Sequence, residues 1–159
     1  TIAAVNGVAA GAGASLAMTC DIAIAAHTAS FIQAFSKIGL IPDAGGTWFL
    51  PQRVGMARAL ALAMTGDKLD ATRAKEWGMI WDVADDPVAA ALALGQRLAS
   101  MPTQAMIATR KAMRASAHNT LDQQLDLERD TQSALGRTHD YMEGVQAFLE
   151  KRPALFTGT

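Results

Sequence analysis

Short apolar runs separated by glycine-rich turns mark the first half of the chain, whereas the second half shows only helical periodicity. The runs at residues 1–5 and 22–26 are short and continuously apolar, which is typical of strands buried on both faces of a sheet. Further short strands are predicted at residues 31–33 and 79–83. This part of the chain is therefore predicted to have an α/β fold.

Helical patterns alternate with these strands, at residues 46–53, 56–65 and 70–77. Gly66 directly follows the second of them and has the backbone freedom to end a helix. That second helix is apolar almost all round, so we expect it to be buried on several sides.

The pattern changes at Pro87, after which only helices are predicted. We place a boundary near Asp86. Residues 1–86 would form the β/α core with its active-site loops, and residues 87–159 a helical C-terminal region.

Composition then narrows the class of protein. The 159 residues suffice for one domain with a core, and 50% hydrophobic residues with a net charge of −1 indicate a soluble globular protein that binds neither nucleic acid nor a membrane. The single cysteine, Cys20, fits a cytoplasmic location, because it has no partner for an internal disulfide. Thr1 starts directly inside a predicted strand, so we expect the chain to be the C-terminal part of a longer protein.

A glycine-rich turn between a strand and a helix is the first candidate for chemistry. Gly7, Gly11 and Gly13 allow tight bending and close approach of a ligand to the backbone. A helix that begins near Gly11 or Ala12 would present free N–H groups and its positive dipole end to an anion or a developing oxyanion. The alternative is a turn that only lets the helix pack on the sheet.

Two nucleotide-binding alternatives fit the turn less well. A dinucleotide site calls for a charged residue at the end of the next strand, where Ala26 and His27 stand, and short-chain dehydrogenases need a lysine four residues after a tyrosine. The only tyrosine, Tyr141, is followed there by Val145. No Gly-Lys-Ser/Thr motif of a P-loop follows the turn.

Asp43 is the second candidate, because it lies between Pro42 and the Gly45-Gly46 pair in an otherwise apolar stretch. A carboxylate on such a loop is suited to accept and return a proton. Capping of the helix that begins near residue 46 is an equally good interpretation from these residues alone.

The histidines predict no metal site. His27, His118 and His139 are far apart in the sequence and lack the spacing of a metal-binding motif, so surface or capping roles are expected for them.

Several motifs occur together and in order along the whole chain. They are Asn6-Gly7 through Leu16, Cys20-Asp21-Ile22, Gly39 through Thr47, the turn at Gly66, Ala74 through Met79, and Glu143 through Arg152. With these motifs the chain resembles the enoyl-CoA hydratase/isomerase (crotonase) family. The resemblance implies the C-terminal part of a spiral of ββα turns, followed by a helical trimerisation region.

The resemblance also assigns the candidate site. It implies that the backbone N–H of Ala12, between Gly11 and Gly13 in the substrate-binding turn, stabilises the thioester oxyanion, and that a second donor belongs to an earlier loop outside this chain. Ser15 and Phe35 stand where hydratases of the family carry glutamates, and neither transfers a proton at neutral pH. Asp43 stands where the family's isomerases place their single acid.

The function implied is that of an acyl-CoA isomerase which shifts a proton and a double bond next to a thioester. Its substrate would be a ring epoxide of phenylacetyl-CoA, converted to the oxepin-CoA, or a 3-enoyl-CoA, converted to the 2-enoyl-CoA. Phe35, Ile41 and Trp48 would line the acyl site, although core packing is an equal alternative for each. Phe148 and Lys151 would lie near the CoA of the same or of a neighbouring subunit, or Lys151 would simply be a solvated cation at a helix end.

The same resemblance implies no cofactor, because coenzyme A is part of the substrate, no metal, and a homotrimer or a dimer of trimers. Two other functions stay open. One is a hydratase of fatty-acid oxidation, and the other is a non-catalytic fragment or assembly subunit.

Overall fold

The structure is a computed structural model that describes all 159 residues. The chain forms two compact units, Thr1–Gly95 and Gln96–Thr159. No helix in either is long and apolar enough to cross a membrane.

The first unit contains six short strands. They are β1 (Ile2–Val5), β2 (Val8–Ala10), β3 (Ile22–Ala26), β4 (Ser30–Ile32), β5 (Lys68–Asp70) and β6 (Asp82–Ala84). They form two three-stranded sheets with the orders β1-β3-β6 and β2-β4-β5. All pairs are parallel except β4 with β5, which is antiparallel.

The two strands of each ββ pair enter different sheets. β1 and β2 belong to separate sheets, as do β3 and β4. A helix, α1 (Ala12–Thr19), follows the first of these strand pairs. Each ββ step thus adds one strand to each sheet, as the predicted α/β spiral requires.

Glycines stand at the ends of several of the remaining helices. After a 3-10 helix at Ala34–Ile38 come α2 (Gly46–Val54), α3 (Met56–Thr65), α4 (Ala71–Glu76), α5 (Pro87–Ala99), α6 (Thr103–Ala115), α7 (Leu121–Leu135) and α8 (His139–Glu150). Gly66 ends α3 in the left-handed conformation with φ 63°, as predicted. The side chain of Asp70 caps α4 by accepting a hydrogen bond from the N–H of Arg73 at 2.8 Å.

The core of the first unit combines small residues with a few large ones. Ala25, Ala71 and Ala74 have no exposed surface, while Met18, Leu50 and Met79 are the largest of the fully buried side chains. Alanine lets the layers approach closely, because its side chain adds little thickness.

Two element predictions need correction. Helix α3 buries only Ala59 and Leu62, while Met56 and Met64 are more than half exposed, so it is not covered on several sides. The last strand is Asp82–Ala84, not residues 79–83, because Met79 and Ile80 are buried in the turn after α4, where their N–H groups bond to the carbonyl of Ala74.

In the second unit the C-terminal tail is bound back to α8 through Asp140. The Asp140 carboxylate, 4% exposed, accepts hydrogen bonds from the N–H groups of Thr157 at 2.7 Å and Gly158 at 2.9 Å. Burial by itself would raise the pKa of Asp140, but these hydrogen bonds outweigh it, and the pKa lies below its ordinary value.

Glu143 makes a second attachment one helical turn later. Its carboxylate pairs with both terminal nitrogens of Arg152 at 2.7 and 2.9 Å and accepts the N–H of Leu155 at 2.7 Å. The Arg152 guanidinium, with help from the Leu155 N–H, lowers the pKa of Glu143 from 4.5 to about 2. The tail is therefore held by ionised carboxylates.

Candidate active site

The N-terminus of α1 has the free backbone donors that its glycines predict. Gly11 precedes the helix with φ 53° and ψ −124° and offers no capping side chain. Its own N–H donates to the carbonyl of Ile32 at 2.8 Å, which ties the turn to the end of β4. The N–H groups of Ala12 and Gly13, both exposed residues, have no acceptor within the helix. They can bind an anion or an oxyanion.

An apolar ring flanks this turn. Phe35, in the 3-10 helix, is 8% exposed, and its Cζ lies 3.5 Å from where a Cβ on Gly11 would stand. The ring therefore packs against one side of the turn at an ordinary van der Waals distance.

Asp43 lies in a tight turn that leads into α2. The carbonyl of Asp43 accepts the N–H of Gly46 at 2.8 Å, while Ala44 (φ 48°) and Gly45 (φ 82°) are left-handed. For Ala44 this conformation costs about 1–2 kcal/mol, so the surrounding contacts must hold the turn in place.

The Asp43 carboxylate is exposed and takes part in no hydrogen bond, and the N-cap of α2 is Gly45. The capping interpretation of Asp43 is therefore wrong in this structure. The side chain is available to another group.

This turn rests on α1. A Cβ on Gly46 would stand 2.6 Å from Oγ of Ser15, and one on Gly45 would stand 3.9 Å from the methyl group of Thr19. Ser15 lies three residues after Ala12 in α1, about 4.5 Å along the helix axis. The free N–H of Ala12 therefore belongs to the same helix, α1, on which the turn with the Asp43 carboxylate rests.

Arg53 fixes the other end of α2 to the same helix. Its guanidinium donates to the carbonyls of Met18 at 3.0 Å and Cys20 at 2.9 Å, where α1 ends. These carbonyls lack intrahelical partners, so the contact satisfies them and holds α2 along α1.

The predicted acyl-site residues differ in burial. Phe35 lies against the Gly11 turn as described, whereas Ile41 is 76% and Trp48 49% exposed. Ile41 and Trp48 are therefore not core residues of this chain and stay predicted walls of the acyl site.

The predicted CoA contacts belong to the second unit. Phe148 is 82% exposed and, with Tyr141 and Phe156, lines a groove of about 550 Å³. Lys151 ends α8 in a left-handed conformation with φ 55°. Their assignment to CoA stays a prediction.

Sequence reasoning missed two contacts that build the site. The closeness of Ser15 to Gly46 joins positions far apart in the chain, and its only sequence signal is the second glycine of the Gly45-Gly46 pair. Arg53 gave no signal, because a cation in the last turn of a helix ordinarily serves its own carbonyls.

The first unit thus combines a ββα spiral, a helix N-terminus with free N–H groups, and a turn on the same helix that carries a free carboxylate. The family model described as enoyl-CoA hydratase/isomerase matches residues 1–159. The chain belongs to this family.

Curated relatives agree. The chain is 57% identical to a 1,2-epoxyphenylacetyl-CoA isomerase of Escherichia coli (strain K12), over 99% of this chain and 61% of that protein. It is 51% identical to a protein named "Probable enoyl-CoA hydratase" of Rhodobacter capsulatus, over 99% of this chain and 62% of the relative. The chain thus spans about three fifths of the length of these relatives.

Solved structures confirm the crotonase fold. The crystal structure of an enoyl-CoA hydratase from Polaromonas sp. JS666 matches with a TM-score of 0.95 at 37% identity, over 98% of this chain and 62% of that one.

Proposed function

We propose that the full-length protein is an acyl-CoA isomerase in which Asp43 carries the proton. The observation that supports this most is the unengaged carboxylate of Asp43 on a turn seated on α1, the helix whose first N–H belongs to Ala12. The name of the Escherichia coli relative supports an isomerase, and the substrate stays part of the proposal.

The proposed reaction needs one carboxylate. Asp43 removes a proton from the carbon next to the thioester carbonyl, and the electron pair moves onto the thioester oxygen, which the Ala12 N–H stabilises. Asp43 then returns the proton to a different carbon. In a 3-enoyl-CoA the double bond thereby moves into conjugation with the thioester. In the ring epoxide the carbon–carbon bond common to the epoxide and the six-membered ring also breaks, which leaves the oxygen in a seven-membered ring. The carboxylate ends as it began and no water is consumed, so the balance is that of an isomerisation.

The substrate we propose is a ring epoxide of phenylacetyl-CoA, converted to the oxepin-CoA, or a 3-enoyl-CoA. Gly11 and Gly13 would admit the thioester, and Phe35, Ile41 and Trp48 would enclose the acyl group. Coenzyme A enters as part of the substrate, near Phe148 and Lys151, and we propose a homotrimer or a dimer of trimers as the assembly.

A hydratase is the second candidate, because the Rhodobacter capsulatus relative bears that name. Against it, the buried Phe35 ring and the enclosed Ser15 hydroxyl offer no second carboxylate to activate a water.

The test is turnover of both isomerase substrates and of a 2-enoyl-CoA by full-length protein and by Asp43→Asn. We expect isomerisation with a kcat that falls by about 10²–10⁴ in Asp43→Asn at little changed KM. Asp67→Asn is the matched control, because Asp67 is another exposed loop aspartate whose carboxylate has no hydrogen bond.

Hydration of the 2-enoyl-CoA without isomerisation would contradict the isomerase proposal and support the hydratase. Absence of all turnover would support the non-catalytic alternative.

A further inference from the structure

Ser15 in α1 has a buried hydroxyl group that forms no hydrogen bond, not even to its own helix. The residue is 0% exposed. A buried hydroxyl without a partner is destabilising and uncommon in native proteins, so it points to a role other than stability.

The neighbours of this hydroxyl belong to the turn that carries Asp43. The position of a Cβ on Gly46 lies 2.6 Å from Ser15 Oγ and 3.0 Å from the Cβ of Pro42. Contacts this short leave no room for a side chain at position 46. The Oγ atom therefore packs directly against the backbone of Gly46.

The contact reaches Asp43 through one hydrogen bond. Gly46 donates its N–H to the carbonyl of Asp43 at 2.8 Å, so a displacement of Gly46 moves the Asp43 backbone with it. The left-handed Ala44 and Gly45 between them leave the turn dependent on outside support.

We propose that Ser15 is a positioning residue for Asp43: its hydroxyl is the stop on which the turn of residues 42–46 rests, and it sets how far the carboxylate stands from the first turn of α1. Ser15 acts through this contact and not on the substrate, because none of its surface is accessible. This inference rests on the proposed isomerase function.

The test is a double-mutant cycle of Gly46→Ala and Ser15→Ala in the full-length protein. The new Cβ of Gly46→Ala would stand 2.6 Å from Ser15 Oγ and 3.0 Å from the Cβ of Pro42. We expect the turn to move outward by several tenths of an ångström, and kcat to fall about 10- to 100-fold with KM within about twofold. Ser15→Ala removes the stop and should lower kcat about three- to tenfold.

The combination carries the decisive result. Without Oγ, the next neighbours of the new Cβ are Pro42 Cβ at 3.0 Å and the Cβ of residue 15 at 3.6 Å. The double variant should therefore have a kcat at least about threefold above that of Gly46→Ala alone.

Controls separate positioning from general packing. Ser100→Ala removes an exposed hydroxyl that donates to the carbonyl of Arg97, and it should not rescue Gly46→Ala. Gly95→Ala adds a Cβ that meets only Ile2 at 3.9 Å and should keep the parent kcat. Thermal unfolding of every variant confirms that kcat is measured on folded protein.

If Gly46→Ala does not fold, Ser15→Thr adds a methyl group to the same contact and should lower kcat about tenfold. An unchanged kcat in that variant, a double variant no faster than Gly46→Ala, or a loss confined to KM would each overturn the positioning role. If Asp43→Asn abolishes turnover while the Ser15 and Gly46 variants behave as wild type, only this inference fails. A wild-type protein without isomerase activity would overturn the proposed function and this inference together.

Discussion

Replacing Gly11 by alanine tests the role of the Ala12 backbone N–H, because it changes the conformation of the peptide that carries this donor. With φ 53° and ψ −124°, Gly11 occupies a region that residues with a Cβ avoid. The strain of forcing alanine into it is about 1–3 kcal/mol. Crowding adds little, because the new Cβ would lie 3.5 Å from Phe35, an ordinary van der Waals distance.

We expect the turn to relieve this strain by rotating the peptide that carries the Ala12 N–H. If that N–H stabilises the oxyanion, its full loss sets the limit of the effect, a fall in kcat of roughly 10²–10³. We therefore expect a kcat loss in Gly11→Ala that approaches this limit, together with a lower unfolding midpoint.

The assay is steady-state turnover of a 3-enoyl-CoA by full-length Gly11→Ala, with Phe35→Leu as a second change. Strain predicts that Phe35→Leu does not restore kcat, since the ring is not the cause. Recovery of kcat by Phe35→Leu would show that crowding matters instead. A kcat within about twofold of wild type, despite a lower unfolding midpoint, would refute the assignment of Ala12 as donor.

Two further predictions concern stability. Glu143→Gln should flatten the acid dependence of unfolding: a folded-state pKa of about 2 against an ordinary 4.5 means that the Glu143 contribution is complete above pH 4.5 and is lost as the pH falls toward 2. Thermal unfolding of both proteins across that range checks this, and parallel curves would contradict it. Gly95→Ala should stabilise the protein by about 0.5–1 kcal/mol, because it improves the helix propensity of α5 where the Cβ has space. A lower unfolding midpoint would show that this position is more crowded than the structure has it.

An element could be predicted from the sequence when residues inside it or next to it determine its bounds. The bounds of α3 followed from the sequence, because Gly55 and Gly66 stand at its two ends. Strands β2 and β5 were missed, since three residues are too few to show a period and gain their pairing from distant strands. The exposure of α3 was missed for a related reason, because an apolar sequence does not show which other elements pack against the helix.

In the candidate site, too, the feature with a local origin was predictable and the feature that depends on another element was not. The free helix N-terminus at Ala12 is a local consequence of the glycines around it and was predicted. That Asp43 does not cap α2 was not predictable, because capping and proton transfer call for the same residue type beside the same glycines. Only the left-handed path through Ala44 and Gly45 distinguishes them, and it depends on the support of Ser15 from another element.

The two ends of α2 constrain how the proposed catalytic groups can move. Arg53 holds the last turn of α2 on the C-terminal carbonyls of α1, and Gly46 holds the first turn on Ser15. A sliding motion of α2 would break charged hydrogen bonds at one end and the tight contact at the other. Adjustment of Asp43 toward a substrate must therefore come from the short turn itself, where Ala44 already stores strain.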